Sequence, residues 1–319
     1  MKTEDFNYHL PTELIAQTPV EPRDSSRMLV LDRATGDIGH TRFENIVCYL
    51  RTGDLLVLND SRVIPGRIYA REKDGYRFVE LLLLRRLEAK KWEAIGRPGR
   101  RLKPGTSFIV PPTDIEVDIL ERRPDGTRVV LLSTEEGMEE WGHVPLPPYI
   151  HKPLGDAERY QTVYAREPGS AAAPTAGLHF TKELLKRLES LGVGLRFLTL
   201  HIGIDTFRSV EEEDPRNHKI HTEYLSLDIE AVTGINAAKR EGRRVIAVGT
   251  TAVRGLEQAA AWSEAQGVPE MVPTSGYADL RILPGHRFLV VDAMITNFHL
   301  PRSTTFMLTN AFAGAGRLM

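Results

Sequence analysis

Moving a proton near neutral pH suits imidazole, the side chain whose ordinary pKa lies between pH 5 and 8. Five of the ten histidines lie in polar, Gly-rich or Pro-flanked segments: His179 in AAAPTAGLHFT, His201 in TLHIG, His218 and His221 in HKIH, and His299 in NFHLP. Any one of them alone also reads as a satisfied structural histidine. His218 and His221 stand three apart, a spacing that puts two ring nitrogens on one helix face for a metal. No acidic partner completes a zinc motif there, so no metal site is expected.

Anion binding has a separate candidate. In RRVIAVGTTAVRGLEQ, residues 243–258, an apolar strand passes through Gly249, Thr250 and Thr251 into an amphipathic helix. Unpaired N–H groups and a partial positive charge at a helix start suit a carboxylate or phosphate. The two hydroxyls would assist, and Arg254, one turn on, could pair with the same anion. A plain helix cap at Thr250 explains the same residues. The loop 171–181 is small and apolar for eight residues before His179, which admits close approach by a ligand. It reads equally as a tight connection with Thr181 capping the next helix. Asn59, Asp60 and Arg62 follow the end of an apolar strand, where side chains line the crevice of an α/β sheet.

These groups need elements to hold them. Strands are expected over 28–31, 55–58, 195–202, 245–248 and 288–291. Helices are expected from near Phe43, over 181–190, 229–240 and 251–262, and from near Ser303. Between 67 and 132 the pattern changes to short β-type runs separated by Gly75, Gly96, Pro-Gly at 98 and 104, and Asp125-Gly126. The expected fold is a layered α/β main domain with an inserted small β-barrel domain. The α/β domain is placed at 1–62 and 150–319 and the barrel at 63–149, with four prolines between 143 and 153 marking a crossing. Cys48 falls on the apolar-periodic stretch 43–50 and reads as a packed side chain, not a nucleophile. Walker, G-x-S-x-G and strand-linked G-x-G-x-x-G motifs are absent.

Composition narrows the class further. With 319 residues, 41% of them hydrophobic, the chain can bury a sizeable core, and its one cysteine excludes an internal disulfide. The N-terminus has acids where a secretory signal needs a basic stretch and an apolar run. Nowhere do about 18 apolar residues run together, so a cytoplasmic location without membrane contact is expected. The net charge of −2 speaks against nucleic acid, but its distribution does not. Between Arg62 and Lys103 thirteen Lys and Arg face five Asp and Glu, a local +8 against −10 elsewhere. Within that stretch Arg97, Arg100, Arg101 and Lys103 in RPGRRLK are candidate phosphate contacts, though a cationic run also serves as a plain solvated face.

Several blocks carry a family likeness: YHLPTELIAQTPVEPRDSSRMLVLD from Tyr8, VLNDSRVIPGRI from Val57, GHVPLPPYI from Gly142, and YQTVYAREPGSAAAPTAGLHFT from Tyr160. HKIHTEY from His218, VIAVGTTAVRGLE from Val245 and DAMITNFHLPRST from Asp292 continue it. In order and number the sequence resembles the S-adenosylmethionine:tRNA ribosyltransferase-isomerases of queuosine synthesis, across residues 8–314. The resemblance implies a monomer-sized α/β enzyme with an inserted β-barrel. It also implies the reaction: the ribosyl part of S-adenosylmethionine, a co-substrate and not a bound cofactor, is transferred to the aminomethyl group of a deazaguanine at the tRNA wobble position. Isomerisation to the epoxycyclopentanediol gives epoxyqueuosine-tRNA and releases adenine and methionine. The expected partner is a tRNA anticodon loop carrying the deazaguanine precursor, whose base can be splayed out and read without melting a duplex.

On that footing His179 is the first candidate for proton transfer, with His218, His221 and His299 behind it. Substrate binding falls to Asn59, Asp60, Arg62, Thr175, Gly177, Phe180, Gly249, Thr250, Thr251, Arg254 and Asn297. Phe180 or Tyr277 is a candidate to face the sulfonium. Two departures from the family pattern stand out: Asp205 in HIGIDTF, where the pattern has glycine, and an end at AFAGAGRLM, where members continue. They keep open a second reading, a tRNA-binding relative with impaired catalysis. A third, a transferase acting on a free nucleoside, needs no cationic insertion.

Overall fold

The computed structural model describes residues 1–73, 75–203, 209–220, 222–314 and 316–318. Three short 3-10 turns precede the first hairpin, in which β1 (Arg27–Leu31) pairs antiparallel with β2 (Ile38–Arg42). The helix expected near Phe43 is a 3-10 segment, Phe43–Cys48. Its buried residues, Phe43 and Ile46, are three apart, the period at which side chains eclipse in a 3-10 helix. Cys48 lies off that stripe and is exposed, contrary to its expected burial. β3 (Leu55–Asn59) is buried at every position, and β4 (Ser61–Val63) follows one residue later.

The next six strands close on themselves: β5 (Arg67–Glu72), β6 (Phe78–Glu88), β7 (Lys91–Arg97), β8 (Ser107–Val110), β9 (Ile115–Arg122) and β10 (Arg128–Leu132). The barrel order is β10-β7-β6-β5-β8-β9. Alternation decides what faces inward: Val79, Leu81 and Leu83 from β6 meet Ile68, Phe108, Val117 and Ile119 in one core. Gly96 is required by this packing, because a Cβ there would lie 2.5 Å from Leu102 Cδ1 and 2.7 Å from the Glu80 carbonyl oxygen. The one-turn helix α1 (Met138–Trp141) adds both its terminal side chains to the same core.

Beyond β11 (Glu167–Ser170) the chain alternates helices and strands. In α2 (Lys182–Ser190) the Thr181 hydroxyl caps by accepting from Leu184 N at 3.0 Å. Leu184, Leu185 and Leu188 are buried, while Leu191 stays exposed. β12 (Gly194–Leu200), β13 (Glu223–Leu227), α3 (Ile229–Arg240), β14 (Val245–Val248), α4 (Thr250–Ala265), β15 (Thr274–Ala278), β16 (Ala293–Ile295) and α5 (Thr304–Ala313) complete it. The main sheet has the order β15-β13-β12-β3-β14-β16. β12, β3, β14 and β16 are parallel; at one side β13 pairs antiparallel with β12 and with β15, so β13 alone runs against the others. The strands LLVLN and VIAV read as continuous apolar runs because layers cover both faces. One layer contains Phe43, Phe180, Leu184 and Leu188, packed on Leu56, Leu58, Ile246 and Val248.

The strand expected over 288–291 is absent, and the ladder shifts to β16. The cause is a side chain. Glu257 on α4, fully buried, accepts from Leu289 N at 2.7 Å and from Val290 N and Val291 N, each at 3.0 Å. Those N–H groups are therefore satisfied by a carboxylate and not by a neighbouring strand.

Two compact units result: 1–61, 148–167 and 173–319 form the α/β unit, and 62–147 with 168–172 form the barrel unit. Among the described residues no helix is long and apolar enough to cross a membrane.

Candidate active site at the carboxyl edge of the parallel strands

Four parallel strands deliver four loops to one edge of the sheet: Asn59-Asp60-Ser61 after β3, His201 onward after β12, Gly249-Thr250-Thr251 after β14, and 296–299 after β16. In open α/β sheets this edge holds ligands. Its most informative feature is a set of buried polar atoms with no hydrogen-bond partner: Ser61 Oγ, Thr162 Oγ1, Tyr164 Oη, His201 Nδ1, Thr251 Oγ1 and Asn297 Oδ1. An unmade buried hydrogen bond costs about 1–3 kcal/mol, so such groups are retained where a ligand completes them.

Each candidate residue has a distinct setting. The amide of Asn59 is engaged by its own fold, since Nδ2 donates to Leu200 O at 2.9 Å while Oδ1 accepts from Ser61 N and Leu200 N. Asp60 accepts from Arg166 Nη2 at 2.8 Å through one oxygen and from Thr199 Oγ1 at 2.7 Å through the other. The Arg166 guanidinium also lies 4.6 Å from the centre of the Phe197 ring. Arg62 belongs to the barrel unit.

Thr175, Gly177 and His179 lie on a 3-10 turn, Thr175–His179. A Cβ at Gly177 would stand 2.0 Å from Tyr164 Oη, so only glycine lets the turn pack there. Burial, and secondarily the Asp60 charge, push the Tyr164 phenol far up, keeping it a neutral donor. The same turn reaches the Gly-Thr-Thr loop, where a Cβ at Gly249 would be 3.8 Å from Ala176 Cβ and 3.3 Å from Thr251 Oγ1. Phe180 is fully buried, edge-on to Phe43 at 4.9 Å, which corrects the expectation that it faces a sulfonium. Tyr277 lies on the outer strand β15, edge-on to Tyr224 at 5.9 Å.

Thr250 is not the helix cap. Gly249 occupies that position with φ +92°, and α4 begins at Thr250 with no side-chain cap. Arg254 is committed to the fold: its Nη1 lies 2.5 Å from Glu223 Oε2, while Nε and Nη2 donate to Leu280 O and Ala278 O. Its charge is matched by Glu223, and it lines the same small cavity as Thr250 and Thr251. Thr250 and Thr251 share a small cavity, about 50 Å³, with Glu223, Arg281, Thr304 and Thr305. A larger one, about 600 Å³, is lined by Asn7 and by Tyr8, His9, Ile15, Leu300 and Pro301, the last five from the first and last of the likeness-bearing blocks.

The histidines differ in their hydrogen-bond partners. His179 Nδ1 donates to Ala176 O at 3.1 Å, and burial lowers its pKa. His299 Nε2 meets Thr296 Oγ1 at 2.9 Å, and burial pushes it down to about 4. His201 is stacked on Tyr224, and burial lowers it against the pull of Asp60. His218 Nδ1 lies 2.7 Å from Glu212 Oε2. His221 and Asp205 lie outside the described residues. Among the described residues no three His, Cys, Asp or Glu side chains gather as a metal cage.

The sequence thus pointed to the loops but missed Tyr164, Thr162, Ser61 and Glu212. Tyr164 stands in YQTVYAREPGS, within the block that carries the likeness, but no spacing singles it out. Glu212 hides in an acidic run, 211–214, that reads as solvated surface. On the barrel unit Arg97, Arg100 and Lys103 are exposed and Arg101 is half-buried. Arg97 pairs with Glu80 at 2.7 Å and Arg101 donates to Phe78 O, so both side chains already have partners within the barrel unit.

Comparison with known proteins gives one answer. Residues 3–319 match the family model described as queuosine biosynthesis protein. The chain is 53% identical over 318 residues to the S-adenosylmethionine:tRNA ribosyltransferase-isomerase of Dehalococcoides mccartyi, covering 98% of this chain and 92% of that one. It is 50% identical over 324 residues to the protein of the same name from Carboxydothermus hydrogenoformans, covering 100% and 93%. A crystal structure of the S-adenosylmethionine tRNA ribosyltransferase of Thermotoga maritima is similar with a TM-score of 0.53 at 38% identity, over 99% of this chain and 91% of that one.

Proposed function

The chain belongs to the S-adenosylmethionine:tRNA ribosyltransferase-isomerases, the queuosine biosynthesis family, and from that premise we propose how its residues divide the work. It is a transferase that moves the ribosyl group of S-adenosylmethionine onto the 7-aminomethyl-7-deazaguanine of tRNA and isomerises it, giving epoxyqueuosine-tRNA, adenine and methionine. The finer assignment is that the base is the wobble base of an anticodon loop, and that the enzyme acts as a cytoplasmic monomer without a bound cofactor.

One observation supports placing the reaction at the carboxyl edge of the sheet: unpartnered buried polar groups sit on the loops after β3, β12, β14 and β16. Thr250 and Thr251 at the start of α4 receive the methionine carboxylate, with backbone N–H groups and the Thr251 hydroxyl as donors. Ser61, Tyr164 and Asn297 supply donors and acceptors for sugar and base edges. A sulfonium acidifies the neighbouring C5′ hydrogens, so an imidazole among His179, His218, His221 and His299 suffices to start the reaction by taking one of them. Water must be excluded for the carbanion to react forward. The exposed cations Arg97, Arg100 and Lys103, with Arg101, hold the phosphates of the anticodon stem.

The test is mass spectrometry of an anticodon stem-loop carrying the aminomethyl-deazaguanine after incubation with S-adenosylmethionine and this chain. A mass gain matching the epoxycyclopentanediol, with one adenine released per loop modified, is expected. Loop binding without mass gain or adenine refutes the assignment.

A further inference from the structure

His218 follows a short 3-10 turn, Pro215–Asn217, that is held from two sides. Asp214 Oδ1 caps it by accepting from Arg216 N at 2.9 Å, and Arg281 Nη1 donates to Pro215 O and Arg216 O. The segment that carries Glu212 is fastened to the N-terminus, where Thr3 Oγ1 donates to Glu212 O and Thr3 N to Glu213 O at 2.8 Å. Between these two fixed segments the Glu212 carboxylate meets His218 Nδ1 at 2.7 Å. Backbone and His218 hydrogen bonds hold that carboxyl below its ordinary range, so it stays ionised. An ionised carboxylate only accepts, so Nδ1 is the donor, and in the neutral ring the lone pair is on Nε2. Nε2 is buried and has no partner.

No other described histidine has this arrangement. His179 leans on a neutral carbonyl, which supports an imidazolium less than a carboxylate would, and burial outweighs that support. His299 already engages Nε2 with Thr296. His286 turns Nε2 itself toward Glu257 at 3.5 Å. A carboxylate on one nitrogen and a vacant lone pair on the other is the combination that orients a general base and compensates the charge it acquires. Two residues on, Ile220 lines the cavity shared by Thr250 and Thr251, so this segment borders the proposed carboxylate site.

We propose that His218 is the proton acceptor of the transferase reaction and that Glu212 is the residue that positions it. The inference rests on the function proposed above and replaces His179 as first candidate. The C5′–H bond of S-adenosylmethionine breaks and its electron pair stays on carbon beside the sulfonium. A new N–H bond forms at His218 Nε2, and the Nδ1 proton remains facing Glu212.

The experiment compares the 319-residue chain with its His218→Asn, Glu212→Gln and Glu212→Asp variants, following adenine release with the modified stem-loop and measuring stem-loop affinity alongside. For His218→Asn kcat falls by about 10³-fold with affinity for the stem-loop retained, the usual weight of a general base. For Glu212→Gln, kcat falls by about 10- to 100-fold while KM for S-adenosylmethionine stays within about twofold, and Glu212→Asp recovers most of the loss. Glu212 is 40% exposed, so its replacement decides the matter even where His218→Asn fails to fold. A Glu212→Gln loss confined to KM, a Glu212→Asp no better than Glu212→Gln, or a folded His218→Asn within about fivefold of wild type in kcat overturns the inference. A wild-type chain that releases no adenine refutes the reaction itself, a separate outcome from active wild type with indifferent variants.

Discussion

Replacing Glu257 tests how the 288–291 segment is held. The carboxylate is fully buried on α4 and accepts three backbone N–H groups through two oxygens. In Glu257→Gln, an amide oxygen in the Oε1 position keeps Val290 N and Val291 N. The amide nitrogen in the Oε2 position then meets Leu289 N donor to donor. One bond to a charged acceptor, about 1.5–3 kcal/mol, is lost and a buried N–H is left unmade, so a net cost of about 2–4 kcal/mol is expected. Glu257→Ala leaves all three N–H groups without the carboxylate and costs more, about 4–6 kcal/mol with partial compensation by water. For a unit of this size each kcal/mol lowers Tm by roughly 2–4 °C, so Glu257→Gln melts about 4–16 °C lower. Hydrogen exchange reads the cause directly, because protection at Leu289, Val290 and Val291 should fall while that in β3 persists. A Tm within 1 °C of wild type, or unchanged protection at those three amides, refutes the reasoning; both thresholds lie well below the effect worked out here.

Three further outcomes are expected. His299 is pushed down to about 4 in the folded state, so the folded protein resists protonation where the unfolded chain, with an ordinary histidine, binds a proton. Its contribution, at most about 3 kcal/mol, is present above pH 6.5 and is lost as pH falls from there to about 4; His299→Gln should flatten that part of a stability-versus-pH curve measured by urea denaturation. Thr251→Val removes a buried hydroxyl that has no partner, so Tm holds or rises while KM for S-adenosylmethionine increases about tenfold, read by adenine release. The double reversal Arg100→Glu with Arg101→Glu should weaken stem-loop binding and flatten its dependence on log salt by about 2, with kcat at saturating RNA unchanged.

Of the main sheet, β3, β12 and β14 were legible, LLVLN and VIAV being uninterrupted apolar runs of strand length, whereas β13, β15 and β16 were not foreseen; α3 begins at Ile229 and ends at Arg240 as its period and the Asp228 cap require. The closed barrel was legible as a class from turn spacing, though its strand order depends on pairings that no local pattern encodes. The failures have a common origin in tertiary partners. Residues 288–291 look like a strand, but Glu257, some thirty positions earlier, takes their N–H groups. The pairing of Arg254 with Glu223, thirty-one positions earlier, has no local sign in the sequence. Glu212 carries no local sign of its pairing with His218, because one acidic residue in a run of four looks like its neighbours. The loops that line the sheet edge could be named from strand ends; which of their atoms lack partners could not, since that depends on every residue packed around them.

The position of β3 in the chain has a consequence for biogenesis. Its partners in the sheet, β12 and β14, begin at Gly194 and Val245, whereas β3 begins at Leu55. At about 5–20 residues per second of synthesis, LLVLN waits on the order of ten seconds or more with its apolar side chains and ladder groups unpaired. The six barrel strands, by contrast, find all their partners within 67–132 and can close while β12 is still unmade. The nascent chain thus carries a finished domain beside an unfinished, adhesive strand, which makes 55–59 the natural site for a ribosome-associated chaperone to occupy until translation passes Val248.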